Sequence, residues 1–117
     1  MNFKQYQDET IATFSTEETF KDKKITPRDC IVLVAALGVS SEAGEVADLI
    51  KKQYFHNTEL DRDELCKEMG DVLCYLTVLA DQYGYTLEEV AERNREKINR
   101  RYPKGFNFED ANKRRSA

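Results

Sequence analysis

Apolar residues recur at helical spacing through most of this chain, and that periodicity limits the available folds more than any other feature. Strand-like alternation is missing, and the 117 residues include only two prolines. At residues 26–29, a capping Thr26, Pro27 in the first turn and Asp29 three residues after the cap predict a helix start. This helix is expected to run to about Tyr54, with a kink at Gly38. The predicted fold class is all-α.

Three more helices are predicted from similar signals. Asn2 would cap the first helix, and Asp61 would begin a helix that ends near Gly84. Thr86 opens a helix that should end at about Arg101, because Pro103 follows. Residues 15–26 are predicted to be a loop, and 107–117 an irregular tail. The chain, 1–117, is thus predicted to be a single domain with two long, antiparallel central helices.

Two acidic motifs interrupt the apolar faces of the central helices. Glu42 and Glu45 form the first, and Glu68 and Asp71 repeat its spacing 26 residues later. At about 100° per residue, the first acid of each pair falls within the apolar stripe and the second at its edge. Unpaired carboxylates are costly to bury, and four of them would repel one another. A bound divalent cation would relieve both penalties, so all four acids are candidate metal ligands.

The side chains available as ligands indicate the type of metal. A di-iron bundle would require Glu-x-x-His pairs, and the one histidine, His56, is three residues after a glutamine. Ligands that are all oxygen favour Mg²⁺, with Mn²⁺ as the alternative. Gly44 and Gly70 lie on the sides of their helices opposite to the acids, where they are expected to allow close helix contact.

Basic and amide groups interrupt the apolar face of the next helix. Asn94, Lys97 and Arg101 lie on this face, where they could bind phosphate or simply extend to solvent from the edge of the core. Lys51 and Lys52 are weaker candidates for substrate binding, because both could be ordinary surface residues. The chain has no GxxxxGK[ST] or GxGxxG loop, which excludes P-loop and Rossmann nucleotide binding.

Taken together, these residues resemble the MazG-like family of all-α nucleoside triphosphate pyrophosphohydrolases. The family pattern is E-x-x-E, a spacer and E-x-x-D, and 22 residues separate the two motifs in this chain. The resemblance continues through Asn94-x-x-Lys97 and through Arg101-Tyr102-Pro103, and it covers roughly residues 31–106. It implies a four-helix bundle that is completed by homo-oligomerisation, as a homodimer or a tetramer made of two dimers.

The resemblance also implies an activity and a set of site residues. The reaction would be Mg²⁺-dependent hydrolysis of a nucleoside or deoxynucleoside triphosphate to the monophosphate and pyrophosphate. Glu42, Glu45, Glu68 and Asp71 would be metal ligands, with Glu42 or Glu45 orienting the attacking water. The sugar or phosphates would be contacted by Tyr75, Asn94, Lys97 and Arg101. Some relatives have one more glutamate directly before the first motif acid, where this chain has Ser41. A non-catalytic helical module that binds nucleotides or partner proteins is the alternative function.

Several partner and location classes are disfavoured by composition. No apolar run reaches membrane-spanning length, since the longest covers residues 30–37, and the N-terminus lacks a signal-peptide pattern. The three cysteines form no CxxC pair and are expected to be reduced thiols of the core. Residues 1–92 contain nineteen acidic and nine basic residues, a negative balance that also argues against nucleic-acid binding. These features predict a cytoplasmic protein with neither a membrane nor a nucleic acid as partner.

Overall fold

The computed structural model describes residues 1–113, which form six helices and no strand. Four of the helices are long and two are short. They are α1 (Phe3–Thr13), α2 (Glu17–Phe20), α3 (Pro27–Phe55), α4 (Arg62–Gln82), α5 (Leu87–Arg101) and α6 (Phe108–Asn112). The all-α prediction is therefore confirmed.

Side-chain caps start the long helices where the sequence predicted them. Asn2, Thr26 and Thr86 each accept a hydrogen bond from the backbone three residues later, in capping boxes that begin α1, α3 and α5. Asp61 begins α4 by accepting from the backbone amides of Asp63 and Glu64. These caps satisfy amides that the first helical turn leaves unpaired.

The two central helices, α3 and α4, pack together as an antiparallel hairpin. At the start of α3, the Arg28 guanidinium donates a 2.6 Å hydrogen bond to the backbone carbonyl of Gln82, the last residue of α4. Further along α3, Gly38 faces Tyr75, so residue numbers fall on α4 as they rise on α3. Ala35 is the one buried residue among those described, at 1% exposure. The prediction of two long antiparallel helices is confirmed.

Arg28 is expected to stabilise the open end of this hairpin. Its guanidinium satisfies an orphan carbonyl of α4 and also lies 5.2 Å from the centroid of the Tyr83 ring. We expect Arg28→Ala to lower the free energy of unfolding by about 1–2 kcal/mol, measured by urea denaturation. Arg62→Ala is the control, because Arg62 is an exposed arginine in the first turn of α4. An equal loss in both variants would contradict a specific role for Arg28.

The structure corrects the sequence prediction in three places. The predicted loop 15–26 contains α2, and the predicted irregular tail contains α6. Helix α6 forms because the Asn107 side chain accepts a 2.7 Å hydrogen bond from the backbone amide of Asp110; residues 114–117 lie outside the described part. All three cysteines are free, but they are exposed in the single chain rather than in a core.

The single chain leaves much apolar surface uncovered. Its radius of gyration is 20.3 Å, whereas a compact domain of this length has a value of about 13 Å. Its accessible surface is 10319 Å², compared with about 6,600 Å² for a compact monomer of this mass. Many large apolar side chains are exposed, including Phe3 at 87%, Leu37 at 69% and Phe106 at 68%.

Helix α3 is apolar on nearly all sides in its first half. Among the described residues, α3 alone is long and apolar enough to cross a membrane by length and composition, with a window of mean hydropathy 1.6. One such helix is weak evidence for a membrane span, because core helices of soluble proteins pass the same test. A helix that is apolar all round is normally enclosed by other helices, and α4 covers only one side of α3.

Candidate metal centre

The antiparallel pairing of α3 and α4 brings the two acidic motifs to the same level of the hairpin. Glu42 and Glu68 are half-buried between the helices, whereas Glu45 and Asp71 are more exposed. One carboxylate oxygen each from Glu42, Glu68 and Asp71 lies within 4.8 Å of the other two. Three of the four predicted ligands therefore converge on one point.

The electrostatics of Glu68 show how closely these acids are packed. The pKa of Glu68 is raised above its ordinary value of 4.5, chiefly because partial burial penalises the charged form. The negative charge of Asp71 and a hydrogen bond with the Glu42 side chain raise it further, and so does the charge of Glu45. All of these causes raise the pKa of Glu68, and none is a neighbouring cation that would lower it.

The spacing of the three oxygens suits a small divalent cation. Oxygens on opposite sides of Mg²⁺ are about 4.2 Å apart, since each Mg–O distance is about 2.1 Å. Adjacent ligand oxygens are closer, at about 3.0 Å, so oxygens within 4.8 Å of one another would reach a shared ion by rotation of the acid side chains. Carboxylates are hard ligands, and the negative charge of the cluster favours a cation. The residues present therefore fit a divalent metal.

Glu45 lies at the rim of this cluster. It is not one of the three converging acids, but its charge contributes to the raised pKa of Glu68. The pKa of Lys52 is also raised, mainly by the Asp48 carboxylate and to a smaller extent by the charge of Glu45. Glu45 is therefore close to both the acidic cluster and Lys52.

Lys51 and Lys52 are held by an acid that the sequence analysis assigned no role. The two ammonium groups lie 3.1 Å and 2.8 Å from the carboxylate of Asp48. Lys52 lowers the pKa of Asp48 most, and Lys51 adds to the effect. The spacing of Asp48 from these lysines, three and four residues, is the signal that could have predicted the pairing. Both lysines remain about half exposed, at 56% and 47%.

Comparison with known proteins places this site in a family. A family profile described as the MazG nucleotide pyrophosphohydrolase domain matches residues 33–106. The chain belongs to the MazG family. All of the candidate site residues, from Glu42 to Arg101, lie inside the matched MazG segment. Members of this family typically bind a divalent metal, in agreement with the acidic cluster.

Two curated proteins are similar to this MazG chain. Gene 37 protein of Mycobacterium phage L5 is 37% identical over 73 residues, which cover 59% of this chain and 64% of the phage protein. Uncharacterized protein YvdC of Bacillus subtilis (strain 168) is 34% identical over 70 residues, covering 52% of this chain and 66% of YvdC. The chain thus spans just under two-thirds of the length of each relative. No solved structure matches it.

The four predicted sugar and phosphate contacts lie on α4 and α5 of this MazG domain. Tyr75 is half-buried, and its ring lies against the backbone of α3 at Gly38. Asn94 is the polar residue in an otherwise largely apolar groove of about 620 Å³ between α4 and α5. Lys97 and Arg101 are half-buried on α5, and neither forms an ion pair within residues 1–113.

Proposed function

We propose that the chain hydrolyses nucleoside or deoxynucleoside triphosphates to the monophosphate and pyrophosphate, with Mg²⁺ as cofactor and Mn²⁺ as a substitute. The convergence of Glu42, Glu68 and Asp71 within 4.8 Å carries this proposal, because it provides a cation site in a chain of the MazG nucleotide pyrophosphohydrolase family. The triphosphate is the part of the substrate that such a site recognises, through its oxygens.

The protein's own residues have distinct tasks in this reaction. When bound, a divalent cation supplies neutralising charge for the triphosphate oxygens and makes a water molecule more acidic. Glu42 or Glu45 orients the attacking water and takes its proton. The water oxygen bonds to the α-phosphorus while the bond to the α,β-bridging oxygen breaks, and pyrophosphate leaves with that oxygen. Lys97 and Arg101 hold the departing phosphates by charge-assisted hydrogen bonds.

The proposed active form is a homo-oligomer, either a dimer or a pair of dimers. Its support is the surface of the single chain, which exceeds that of a compact monomer by about 3,700 Å². Obligate homodimers bury about 2,000–5,000 Å² in total, so the excess is large enough to account for one or more such interfaces. Partner subunits would cover the apolar surface of α3 that α4 leaves exposed and the apolar groove between α4 and α5.

Pyrophosphate release from a panel of nucleoside and deoxynucleoside triphosphates tests the function. With Mg²⁺, the unmodified chain should convert at least one of them to the monophosphate and pyrophosphate. Glu45→Ala and Asp71→Asn should each lower turnover by about 100-fold or more, because each removes charge at the site of reaction. Product identity is checked by chromatography, which separates pyrophosphate from inorganic phosphate.

The matched control for Asp71→Asn is Asp63→Asn. Asp63 is also an exposed acid of α4, but it pairs with Lys67 at 3.0 Å and lies outside the acidic cluster. This variant should keep nearly full turnover, since exposed ion pairs contribute little. Unchanged turnover in Glu45→Ala and Asp71→Asn would refute the assignment. Tight nucleotide binding with no product would favour the alternative, a helical module that only binds nucleotides.

A further inference from the structure

The contact between Gly38 and Tyr75 is the closest approach that the described glycines show. A Cβ atom placed on Gly38 would lie 2.5, 2.6 and 2.7 Å from three carbons of the Tyr75 ring, namely Cδ1, Cγ and Cδ2. By contrast, Cβ atoms placed on Gly44 or Gly70 would have no neighbour within 4 Å. The ring of Tyr75 therefore occupies the space that any larger residue at position 38 would need.

A methyl group at position 38 could not be accommodated by a small movement of the tyrosine. Ordinary carbon–carbon contacts are about 3.5–4.0 Å, so the ring would have to retreat by roughly 1 Å. The clashing atoms belong to the base of the ring rather than to its flexible end. The retreat must therefore come from a different side-chain rotamer or from a shift of the α4 backbone.

The same contact is one helical turn from the acidic cluster on both helices. Gly38 precedes Glu42 by four residues on α3, and Tyr75 follows Asp71 by four on α4. Because one turn rises only about 5.4 Å, the helix separation at this contact largely fixes the separation at the acids. Glu42 can approach the two acids of α4 only if α3 and α4 remain this close.

We propose that Gly38 is a positioning residue for the metal centre: by admitting the Tyr75 ring against α3, it sets the helix separation at which Glu42 meets Glu68 and Asp71. This inference rests on the proposed metal site. It assigns Tyr75 a second task as the spacer between the helices, in addition to the substrate contact that the family resemblance implies. Gly38 touches neither metal nor substrate and acts through the position of α4.

Mn²⁺ binding to the full chain, measured by calorimetry without nucleotide, tests the proposal. Gly38→Ala should weaken Mn²⁺ binding by about tenfold or more, in the range caused by loss of supporting groups around a metal. Gly44→Ala is the matched control on the same helix, and its affinity should stay within about twofold of the unmodified chain, because nothing lies near its added methyl group.

The Tyr75 ring provides the decisive comparison. In a Tyr75→Ala background, Gly38→Ala should have little effect on Mn²⁺ affinity, because the added methyl group then meets empty space. In a Tyr75→Phe background the ring remains, so Gly38→Ala should weaken binding as strongly as it does in the unmodified chain. This dependence on the ring is a coupling between the two positions, and helicity measured by circular dichroism separates it from unfolding.

Each result of this experiment has a defined meaning. Failure of the unmodified chain to bind Mn²⁺ would overturn the proposed metal site and the inference together. Normal Mn²⁺ binding by Gly38→Ala, or an equal loss in the Tyr75→Ala background, would overturn the inference alone. Should Gly38→Ala lose its helicity by circular dichroism, the double variant with Tyr75→Ala is compared with Tyr75→Ala alone. The two should fold and bind alike, and any difference would contradict the inference.

Discussion

Replacement of Glu68 by glutamine is expected to lower pyrophosphate release by about 10²- to 10³-fold, the loss seen when one preorganised electrostatic group is removed from an active site. In the absence of divalent cations the same variant should unfold at a higher temperature than the unmodified chain. Glu68 is half-buried and close to the charges of Asp71, Glu42 and Glu45, all of which disfavour its ionised form. Neutral glutamine fills the same space and removes this repulsion.

The direction of the pH dependence follows from the raised pKa of Glu68. A group whose pKa is higher in the folded state stabilises that state fully at a pH below the pKa it has in the unfolded state, which is 4.5 for Glu68. This stabilisation is lost as the pH rises through the pKa of the folded state. Glutamine cannot ionise and has no such loss. The difference in unfolding free energy, Glu68→Gln minus unmodified, should therefore be near zero below pH 4.5, increase above it and then level off.

Added Mg²⁺ should reverse this order of stability. A ligand at ten times its Kd stabilises the state that binds it by about 1.4 kcal/mol, so Mg²⁺ should raise the melting temperature of the unmodified chain at neutral pH. Glu68→Gln should show little or no increase. The control is Glu64→Gln, one turn earlier on α4 and outside the three converging acids; it should respond to Mg²⁺ like the unmodified chain. A Glu68→Gln variant with normal activity and a normal Mg²⁺ response would exclude Glu68 as a ligand.

Substitution of Leu37 by aspartate is expected to dissociate the proposed oligomer. Leu37 is 69% exposed in the single chain, and substitutions at such positions usually change stability by no more than about 0.5 kcal/mol. If a partner covers this side of α3, the new carboxylate is instead buried in an apolar contact. The expected cost is then about 2 kcal/mol or more per interface, which is at least about a 30-fold increase in the Kd for association.

Light scattering coupled to size-exclusion chromatography measures this outcome. The unmodified chain should elute with a mass that is a multiple of 13.6 kDa, and the Leu37→Asp variant should shift towards the single-chain mass or aggregate. Ser40→Asp is the control on the same helix, because Ser40 is exposed and already polar. A single-chain mass for the unmodified protein, at micromolar concentration, would contradict the proposed oligomer.

Helix boundaries and the position of the acids could be predicted from the sequence because both depend on local patterns. Capping residues such as Thr26 and Thr86 determine helix starts through hydrogen bonds within three residues. The helical repeat placed Glu42 and Glu68 on inward faces, and both are half-buried as a result. The family resemblance was confirmed as well, since its motifs lie at fixed spacing along the chain.

Contacts between helices were harder to predict, and the glycines show why. The sequence predicted close helix contact at Gly44 and Gly70, but no atom lies near a Cβ placed at either position. The close contact is at Gly38, where a kink was expected instead. A helical wheel gives the direction of a residue and not the identity of its neighbour across the interface. Only the alignment of α3 on α4 places the Tyr75 ring opposite Gly38.

Asp48 illustrates a second reason for the differences. The sequence analysis assigned this acid no role and treated Lys51 and Lys52 as possible surface residues. In the structure it binds both Lys51 and Lys52 and is half-buried. Residues three and four apart are neighbours on one face of a helix, so the spacing alone could have predicted these ion pairs. A search for polar residues that interrupt the apolar face therefore misses ion pairs along the polar face of the same helix.

The hairpin of α3 and α4 is fastened at both extremities. A short loop joins the helices after Phe55, and at the other end the Arg28 guanidinium donates a hydrogen bond to the last carbonyl of α4. The acidic residues lie near the middle of both helices, between the connecting loop and the Arg28 hydrogen bond, so both ends of the hairpin oppose separation of the helices at this level. A cation bound between these carboxylates would therefore be reached from the side on which Asp71 and Glu45 are exposed.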